Sequence, residues 1–285
     1  MDTEAQRAEL AAQRWFLEHP GVIRVDARHV HSRTAWWEAV LACSPRADVA
    51  GAPTAALGGL TALHAAGLQG IDGDGLVHVV ARKSSHPRSH SPGVRVHETR
   101  RWRDEDVVAE PIPRVRTPMA AVQAALWARS DREAALLLIA PVQQRLATAA
   151  SVAEALEVVR RDRRRPLMRS VVGELVDGVQ SLNELDFATL CRARGFPEPS
   201  RQVVVRTTSG RAYLDVRWAR YKVVVEIDGV GHLRPEQWLD DDARHGEIAL
   251  SGDLVLPIPS IGLRLDPDRW LDLVERALRR GGWRP

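Results

Sequence analysis

The 285-residue sequence is poor in cysteine. Only Cys43 and Cys191 are present, and two isolated cysteines provide no spaced framework for disulfides or a metal. Because disulfide frameworks are typical of secreted proteins, this composition favours a reducing compartment. We therefore expect a cytoplasmic protein.

Long apolar runs are also lacking. The longest, AALLLIA at 134–140, is far shorter than the ~20 residues that a transmembrane helix needs. The first ten residues, MDTEAQRAEL, carry mixed charges and no apolar segment of the kind found in signal peptides. We expect no membrane partner and no secretory signal.

Lysine is nearly absent. Lys83 and Lys222 are the only lysines among 40 basic residues, and the others are arginine. Arginine suits phosphate recognition because its planar group donates hydrogen bonds in a fork. The formal net charge is only +3, so the composition permits nucleic-acid binding without demonstrating it.

Several ligand-binding motifs are missing from the sequence. It contains no glycine-rich phosphate loop of the Walker or Rossmann type. The sequence DGDG at 72–75 lacks the later glutamate of a calcium loop and is typical of a hairpin turn. His86 and His90 have no cysteine or carboxylate nearby, which argues against a zinc site.

The first half of the chain mixes helical and strand-like patterns. Helical periodicity predicts helices in four segments: 2–18, 32–43, within 49–68, and 117 to about 160. Strict alternation predicts two strands, at 76–82 and 93–99. The order of these elements is typical of a mixed α/β domain.

The basic run RRDRRRP at 160–166 marks the clearest domain boundary. One interpretation is a helix C-terminus, where cations complement the helix dipole and proline stops the helix. The other is a patch that contacts phosphates. Both leave an N-terminal domain at 1–165 and a C-terminal domain at 166–285.

The second half begins with two helical segments, LMRSVVGELVDG and SLNELDFATLCRARGF. Strands are predicted at RQVVVRTT, YLDVRW, VVVEID and DLVLPIPS, and an amphipathic helix follows at DPDRWLDLVERALRRGG. Helices combined with several strands again predict an α/β (α+β) fold.

Three carboxylates lie inside strand-like runs, where a strand favours apolar residues. Residues two apart in a strand share a face, so Glu226 and Asp228 lie on one face with Val224. If Ala219 and Arg220 form the turn, Asp215 sits opposite Val224 and diagonal to Glu226.

Diagonal neighbours lie within ~8 Å, so one small hard cation could bind both carboxylates. Oxygen ligands of this kind suit Mg²⁺ or Mn²⁺. The alternative is that these are ordinary strand-end carboxylates paired with arginines. The candidate partners are Arg217, Arg220 and Arg244, which are also the candidates for contacting DNA phosphates.

The order of these motifs resembles a known bacterial family. The motifs are S-x-x-E with Ser181 and Glu184, Y-L-D-V with Asp215, and V-V-V-E-I-D-G-x-x-H with Glu226, Asp228 and His232. Over about 170–280 the chain is similar to very-short-patch-repair-like endonuclease domains of the PD-(D/E)XK superfamily.

The resemblance implies a restriction-endonuclease-like domain, with a central mixed β-sheet flanked by helices, that hydrolyses DNA phosphodiester bonds with Mg²⁺ or Mn²⁺. Asp215 and Glu226 would bind the metal together with Asp228, and Glu184 would approach from its helix. His232 would lie near the scissile phosphate as a general acid or base or as a phosphate contact.

Two positions depart from the family pattern. Asp228 stands where the superfamily has a lysine. Lys222 lies an even number of residues from Glu226, so it could reach the same face of the strand from the turn. The helix that would carry Asp241 and Arg244 has Gly246 in place of an asparagine. The sequence therefore leaves open an alternative, a catalytically inactive DNA-binding transcriptional regulator or antitoxin-like protein.

The N-terminal half resembles, more loosely, the AbiEi-type antitoxin or regulator module that often precedes this nuclease domain in actinobacteria. The segments that carry the likeness are TAALGGLTALHAAGL, LVHVVAR, GVRVHETR and RVRTPMAAVQAALWA. The resemblance implies that DNA is the partner of the whole chain. A monomer and a homodimer both remain open.

Overall fold

The computed structural model describes most of the chain. The described residues are 3–19, 22–25, 32–44, 54–83, 93–109, 111–177, 184–207, 210–228, 250 and 252–284. The chain divides into two compact units, 1–168 and 169–285. The boundary predicted from the sequence, after Arg165, lies three residues before this division.

The N-terminal unit mixes helices with short strands. Its elements are α1 (Thr3–Ala11), β1 (Phe16–His19), β2 (Val22–Arg24), α2 (Ser32–Cys43), β3 (Ala55–Leu57), α3 (Gly59–Ala65), β4 (Val77–Arg82), β5 (Val94–Thr99), β6 (Val107–Val108), β7 (Arg114–Val115), α4 (Thr117–Trp127), α5 (Asp131–Gln143) and α6 (Ala149–Glu157).

Five of these strands form a mixed sheet in the order β5-β4-β3-β7-β6. Strands β4 and β5 are parallel, as are β3 and β7, and the other pairs are antiparallel. Strands β1 and β2 form a separate antiparallel pair. The core beside the sheet contains many small residues, which allows α3 and α4 to pack closely.

One helix prediction in this unit was too long, and the short helix predicted within 49–68 is confirmed. Helix α1 ends at Ala11, because Gln13 adopts a left-handed backbone (φ 54°), and Phe16–His19 then forms a strand instead of continuing the helix to residue 18. In the segment 49–68, Ala55–Leu57 is a buried strand and the helix starts only at Gly59. Segment 49–53 lies outside the described residues.

The basic run at 160–166 has a structural role in part. Arg164 is buried and donates hydrogen bonds to the carbonyl oxygen of Leu126 (3.1 Å), near the end of α4, and to Asp131 (3.1 Å). Arg165 donates to the carbonyl oxygen of Val159. These contacts with backbone carbonyls fit the helix-end interpretation in part. The predicted stop at the proline is wrong, because Pro166 lies in the first turn of the helix Arg165–Asp177, where proline is tolerated. Arg161 is exposed, and its contact with a phosphate stays a prediction.

The C-terminal unit contains a four-stranded mixed sheet with helices. Its elements are α7 (Arg165–Asp177, which starts just before the division), α8 (Glu184–Ala193), β8 (Ser200–Thr207), β9 (Gly210–Trp218), β10 (Val223–Asp228), β11 (Leu254–Pro259), α9 (Ser260–Leu265) and α10 (Pro267–Arg280). The strand order is β11-β10-β9-β8, with β11 parallel to β10 and the other pairs antiparallel.

One face of this sheet forms the hydrophobic core of the unit. Its strand residues are Val216, Trp218, Val223, Val225 and Ile227, which pack with side chains of α8 and α10. Phe187 meets Trp218 edge to face. The alternation predicted for β9 and β10 is therefore confirmed for these residues, and the fold belongs to the predicted α/β class. None of the described helices combines the length and hydropathy needed to cross a membrane.

Gly281 fixes the end of α10 against the β9–β10 connection. A Cβ at Gly281 would collide with the backbone carbonyl of Tyr221, whereas a Cβ at Gly173 in α7 would meet no other atom within 4 Å. We expect Gly281→Ala to lower the free energy of unfolding by roughly 1–3 kcal/mol, because the backbone cannot move aside cheaply.

Gly173→Ala is the matched control and should raise the free energy of unfolding by about 0.5–1 kcal/mol, since alanine favours a helix interior. Urea denaturation of the full chain measures both. Equal effects of the two substitutions would contradict the close packing at Gly281.

Candidate active site and a histidine chain

The hairpin of β9 and β10 has a longer connection than the sequence suggested. The strands pair Val223 with Trp218, Val224 with Arg217, and Val225 with Val216. A 3₁₀ turn at Ala219–Tyr221, followed by Lys222, takes up four residues rather than two.

This register corrects the predicted neighbours of Asp215. The prediction placed Asp215 opposite Val224, but Val224 pairs with Arg217. Continuing the register by one pair places the backbone of Asp215 directly opposite Glu226. Directly opposite residues are closer than diagonal ones, about 4.5–5.5 Å between Cβ atoms, so the correction shortens the separation on which the metal hypothesis rests.

Glu226 is a carboxylate buried in the middle of a strand. Only 3% of the residue is exposed. Its neighbours Val225 and Ile227 belong to the hydrophobic core, so strand alternation directs Glu226 to the opposite face of the sheet. A carboxylate in this environment requires compensation by hydrogen bonds or opposite charge.

Arg217 lies on the same face of the hairpin and is engaged by another acid. Its Nη2 lies 2.7 Å from Oδ2 of the buried Asp253, the residue before β11. Arg220 is exposed, and its guanidinium lies 5.8 Å from the centre of the Tyr221 ring. Arg244 lies outside the described residues. The proposed DNA contacts of all three arginines stay predictions.

A second buried carboxylate, Glu174 of α7, lies near the end of β10. Only 1% of Glu174 is exposed. The Ser260 hydroxyl donates a hydrogen bond to its Oε2 (2.6 Å), and Arg264 Nε lies 2.6 Å from its Oε1. Ser260 directly follows Pro259, which pairs with Asp228 in the parallel register of β10 and β11.

Glu174 was not predicted as a site residue. The one signal in the sequence is its position within the mostly apolar stretch SVVGELV, where a charged residue must either face solvent or find a partner. The partner, Arg264, is 90 residues further along the chain. The sequence therefore did not indicate whether Glu174 faces solvent or is buried with a partner.

Lys222 has an exposed position at the hairpin turn. Its backbone is left-handed (φ 53°), which interrupts strand alternation, and its carbonyl accepts a hydrogen bond from the Leu254 N–H. It is four residues from Glu226, or roughly 13 Å along an extended strand. Strand alternation therefore does not place Lys222 on the face of Glu226, and its proposed catalytic role stays a prediction.

The other predicted site residues are only partly described. Glu184 begins α8, and Asp215 and Asp228 lie in β9 and β10, but their side chains lie outside the described part of the structure. His232 lies outside the described residues altogether. Within the described part, no group of three or more His, Cys, Asp or Glu side chains is arranged to hold a metal ion.

The N-terminal unit contains a chain of hydrogen-bonded side chains that the sequence did not reveal. Asp74 Oδ1 lies 3.1 Å from His78 Nε2, and His78 Nδ1 lies 3.0 Å from His97 Nε2. The His97 ring stacks on Trp127 with 3.5 Å between ring centres and an angle of 5°. Arg95 lies 3.4 Å from the other oxygen of Asp74.

The pairing of β4 with β5 brings the two histidines together. His78 pairs with Arg95, and His97 pairs with Val80, so the histidines are diagonal neighbours on parallel strands. Each is a lone histidine in its own strand. Only the choice of strand partner makes them a pair, and the sequence does not determine that choice.

The environment of the chain favours a neutral His97 and an ionised Asp74. Burial, the neighbouring His78 and Arg95 lower the pKa of His97 to about 4, although Asp74 acts in the opposite direction. Burial by itself raises the pKa of Asp74, but hydrogen bonds from His78 and the Leu76 N–H and the charge of Arg95 lower it overall.

In comparisons with known proteins, no family model, no curated protein and no solved structure matches the chain. The fold defines an α/β protein with two compact units.

Arg264→Met should destabilise the C-terminal unit by about 3 kcal/mol, because it leaves the Glu174 carboxylate buried without its cation. The matched control is Arg279→Met, which removes an exposed ion pair with Glu275 and should cost less than ~1 kcal/mol. Urea denaturation measures both variants. A cost for Arg264→Met no larger than for Arg279→Met would show that the buried pair contributes little.

The stability of the N-terminal unit should depend on the proton affinity of His97. The unfolded chain binds a proton at the ordinary histidine pKa of ~6.5, whereas the folded protein does so only near pH 4. Stability from this residue is therefore complete above pH ~6.5 and is lost as the pH falls towards 4. The loss should be on the order of 2 kcal/mol, because partial solvent contact reduces the full effect.

Denaturation at several pH values compares the wild type with His97→Phe. The free energy of unfolding of His97→Phe should fall less steeply between pH ~6.5 and about 4. His64→Gln is the control. It alters a histidine of the same unit that bonds the Ile71 carbonyl, and it should keep the wild-type slope. If the free energy of unfolding of His97→Phe has the same pH dependence as that of the wild type, the lowered pKa does not belong to His97.

Proposed function

We propose that the C-terminal unit is a metal-dependent DNA endonuclease that hydrolyses phosphodiester bonds. The observation that carries the proposal is the buried Glu226 in β10, with the backbone of Asp215 opposite it in the continued register. Carboxylates on adjacent strands are a common way to hold a small divalent cation.

The energetics of burial support this interpretation. A carboxylate in a strand that is apolar on its other face lowers stability unless its charge is compensated. Such a position would have little value for folding alone, since valine at this position would pack without that cost. A role in binding a cation accounts for an acid at this position.

The sheet is compatible with the resemblance found in the sequence. The resemblance implies a central mixed sheet flanked by helices, and the C-terminal unit has β8, β9 and β10 in antiparallel succession with β11 parallel to β10. Asp228 and Ser260 come at or just after the carboxyl ends of the two parallel strands, the edge at which ligands commonly bind in α/β sheets.

The chemistry of the residues fits Mg²⁺ or Mn²⁺, because both ions prefer oxygen ligands. Glu226 and Asp215, with Asp228 and Glu184, are the residues that would hold the ion. When bound, the ion supplies polarisation of the phosphate and a lowered pKa of the attacking water.

The remaining roles belong to residues of this chain. His232 would move a proton at the scissile phosphate, with Lys222 as the alternative. Arg220 and Arg244 would contact DNA phosphates, whereas Arg217 has part of its guanidinium occupied by Asp253. The proposal includes DNA as the partner, a cytoplasmic location and an assembly state that is either monomeric or homodimeric.

A second candidate is a DNA-binding regulator or antitoxin-like protein that no longer cuts. The observation that favours it is the position of Lys222, which is exposed in the turn and does not extend along the strand towards Glu226. With Asp228 in the position of the superfamily lysine, Lys222 then does not supply the lysine of the family pattern.

Cleavage of DNA in the presence of Mg²⁺ or Mn²⁺ tests the proposal. Glu226→Gln and Asp215→Asn should each reduce the rate at least about 100-fold, because a catalytic metal contributes several kcal/mol to the transition state. Glu275→Gln, at a half-buried carboxylate of α10 that pairs with Arg279, is the control and should cleave like the wild type.

Circular dichroism and urea denaturation of each variant check that the fold is intact. Unchanged cleavage in both carboxylate variants would contradict the assignment. If the wild type binds DNA with a strong salt dependence but neither cleaves it nor binds the metal in calorimetry, the regulator alternative is correct.

A further inference from the structure

The histidine chain of the N-terminal unit ends at a cavity. His97 lines a cavity of about 340 Å³, a volume at the lower end of the range for small-molecule pockets. Its wall is apolar where Met119, Val122 and Leu126 contribute, and polar where Thr99 lies near His97. A small ligand bound there would meet both polar and apolar side chains, because the lining also includes Glu98, Arg101 and Gln123.

The hydrogen bonds determine where the protons lie when each ring carries one. The Asp74 carboxylate can only accept, so His78 must donate from Nε2. His78 Nδ1 is then an acceptor, and His97 must donate to it from Nε2. The proton pattern therefore leaves His97 Nδ1 as an unprotonated acceptor, and it has no partner among the described residues.

The charges around His97 limit what can bind there. The burial and the Arg95 charge that keep a proton off the ring also disfavour a cationic ligand at Nδ1. An anion finds no donor at Nδ1 in this proton pattern. The lining carries one acid and one base, Glu98 and Arg101, and so has no net charge that would favour an anion. A neutral ligand with an O–H group carries no charge and can donate a hydrogen bond to Nδ1.

Trp127 makes the acceptor rigid. Its ring stacks on one side against His97, and on the other side it lies so close to Gly59 that a Cβ there would collide with it. Gly59 adopts a left-handed backbone (φ 51°), and its N–H donates to Gln123. A fixed ring orientation lowers the entropy cost of binding a directional donor.

We propose that this cavity is a binding site for a small neutral molecule with an apolar body and a hydroxyl group, and that the hydroxyl donates to His97 Nδ1. Asp74 and His78 are positioning residues, because they fix the tautomer that presents the acceptor. The site is independent of the nuclease assignment, since it lies within the N-terminal unit.

Phenol and anisole form a matched pair of probes at pH 8. They share a ring, but anisole has a methyl ether in place of the hydroxyl and cannot donate. Phenol should bind saturably and about tenfold more tightly than anisole, a factor equivalent to ~1.4 kcal/mol. NMR of the wild-type full chain should show the His97 Nδ1 nitrogen unprotonated, and its signal should move with phenol but not with anisole.

His97→Phe retains an aromatic ring to stack on Trp127 but removes the acceptor, so the preference for phenol should disappear. His64→Phe, at a histidine outside the chain, should keep it. Absence of saturable phenol binding, equal binding of the two probes by the wild type, or a preference retained in His97→Phe would each overturn the proposal. The NMR comparison decides the question even if a variant fails to fold.

Discussion

Buried carboxylates have to be compensated, and in the C-terminal unit this requirement links elements that are distant in the sequence. Glu174 of α7 is held by Ser260 and Arg264, so α7 is tied to the junction between β11 and α9. Asp253 is held by Arg217, which ties the start of β11 to β9. The hydrophobic face of the sheet provides the driving force for folding, whereas these ion pairs link particular elements that are distant in the sequence.

The proposed active site also contains a buried carboxylate, Glu226, that has to be compensated. Glu226 alternates with Val225 and Ile227, so the strand that completes the core also places an acid on the opposite face. The parallel register aligns Asp228 with Pro259, and Ser260 follows directly. The position of Glu226 therefore depends on the register of β10, and a slip of one residue would turn it to the core face.

The two units place acids and bases on sheets in different ways. In the C-terminal unit, the acids lie on strands or beside them and the compensating charges are arginines. In the N-terminal unit, Asp74 contacts both Arg95 and His78, and His78 contacts His97, whose ring stacks on Trp127. Under the two proposals, the first arrangement would bind a cation and the second a neutral hydrogen-bond donor.

The sequence by itself determined the class of the fold, the core face of β9 and β10, and most helices and strands, because periodicity is a local property of the chain. It did not determine the four-residue connection before Val223, since the left-handed Lys222 is not specified by a turn motif. It also missed the pairs Glu174–Arg264 and His78–His97. These depend on which distant segments become neighbours, and only the tertiary structure, through packing of the whole unit, makes that choice.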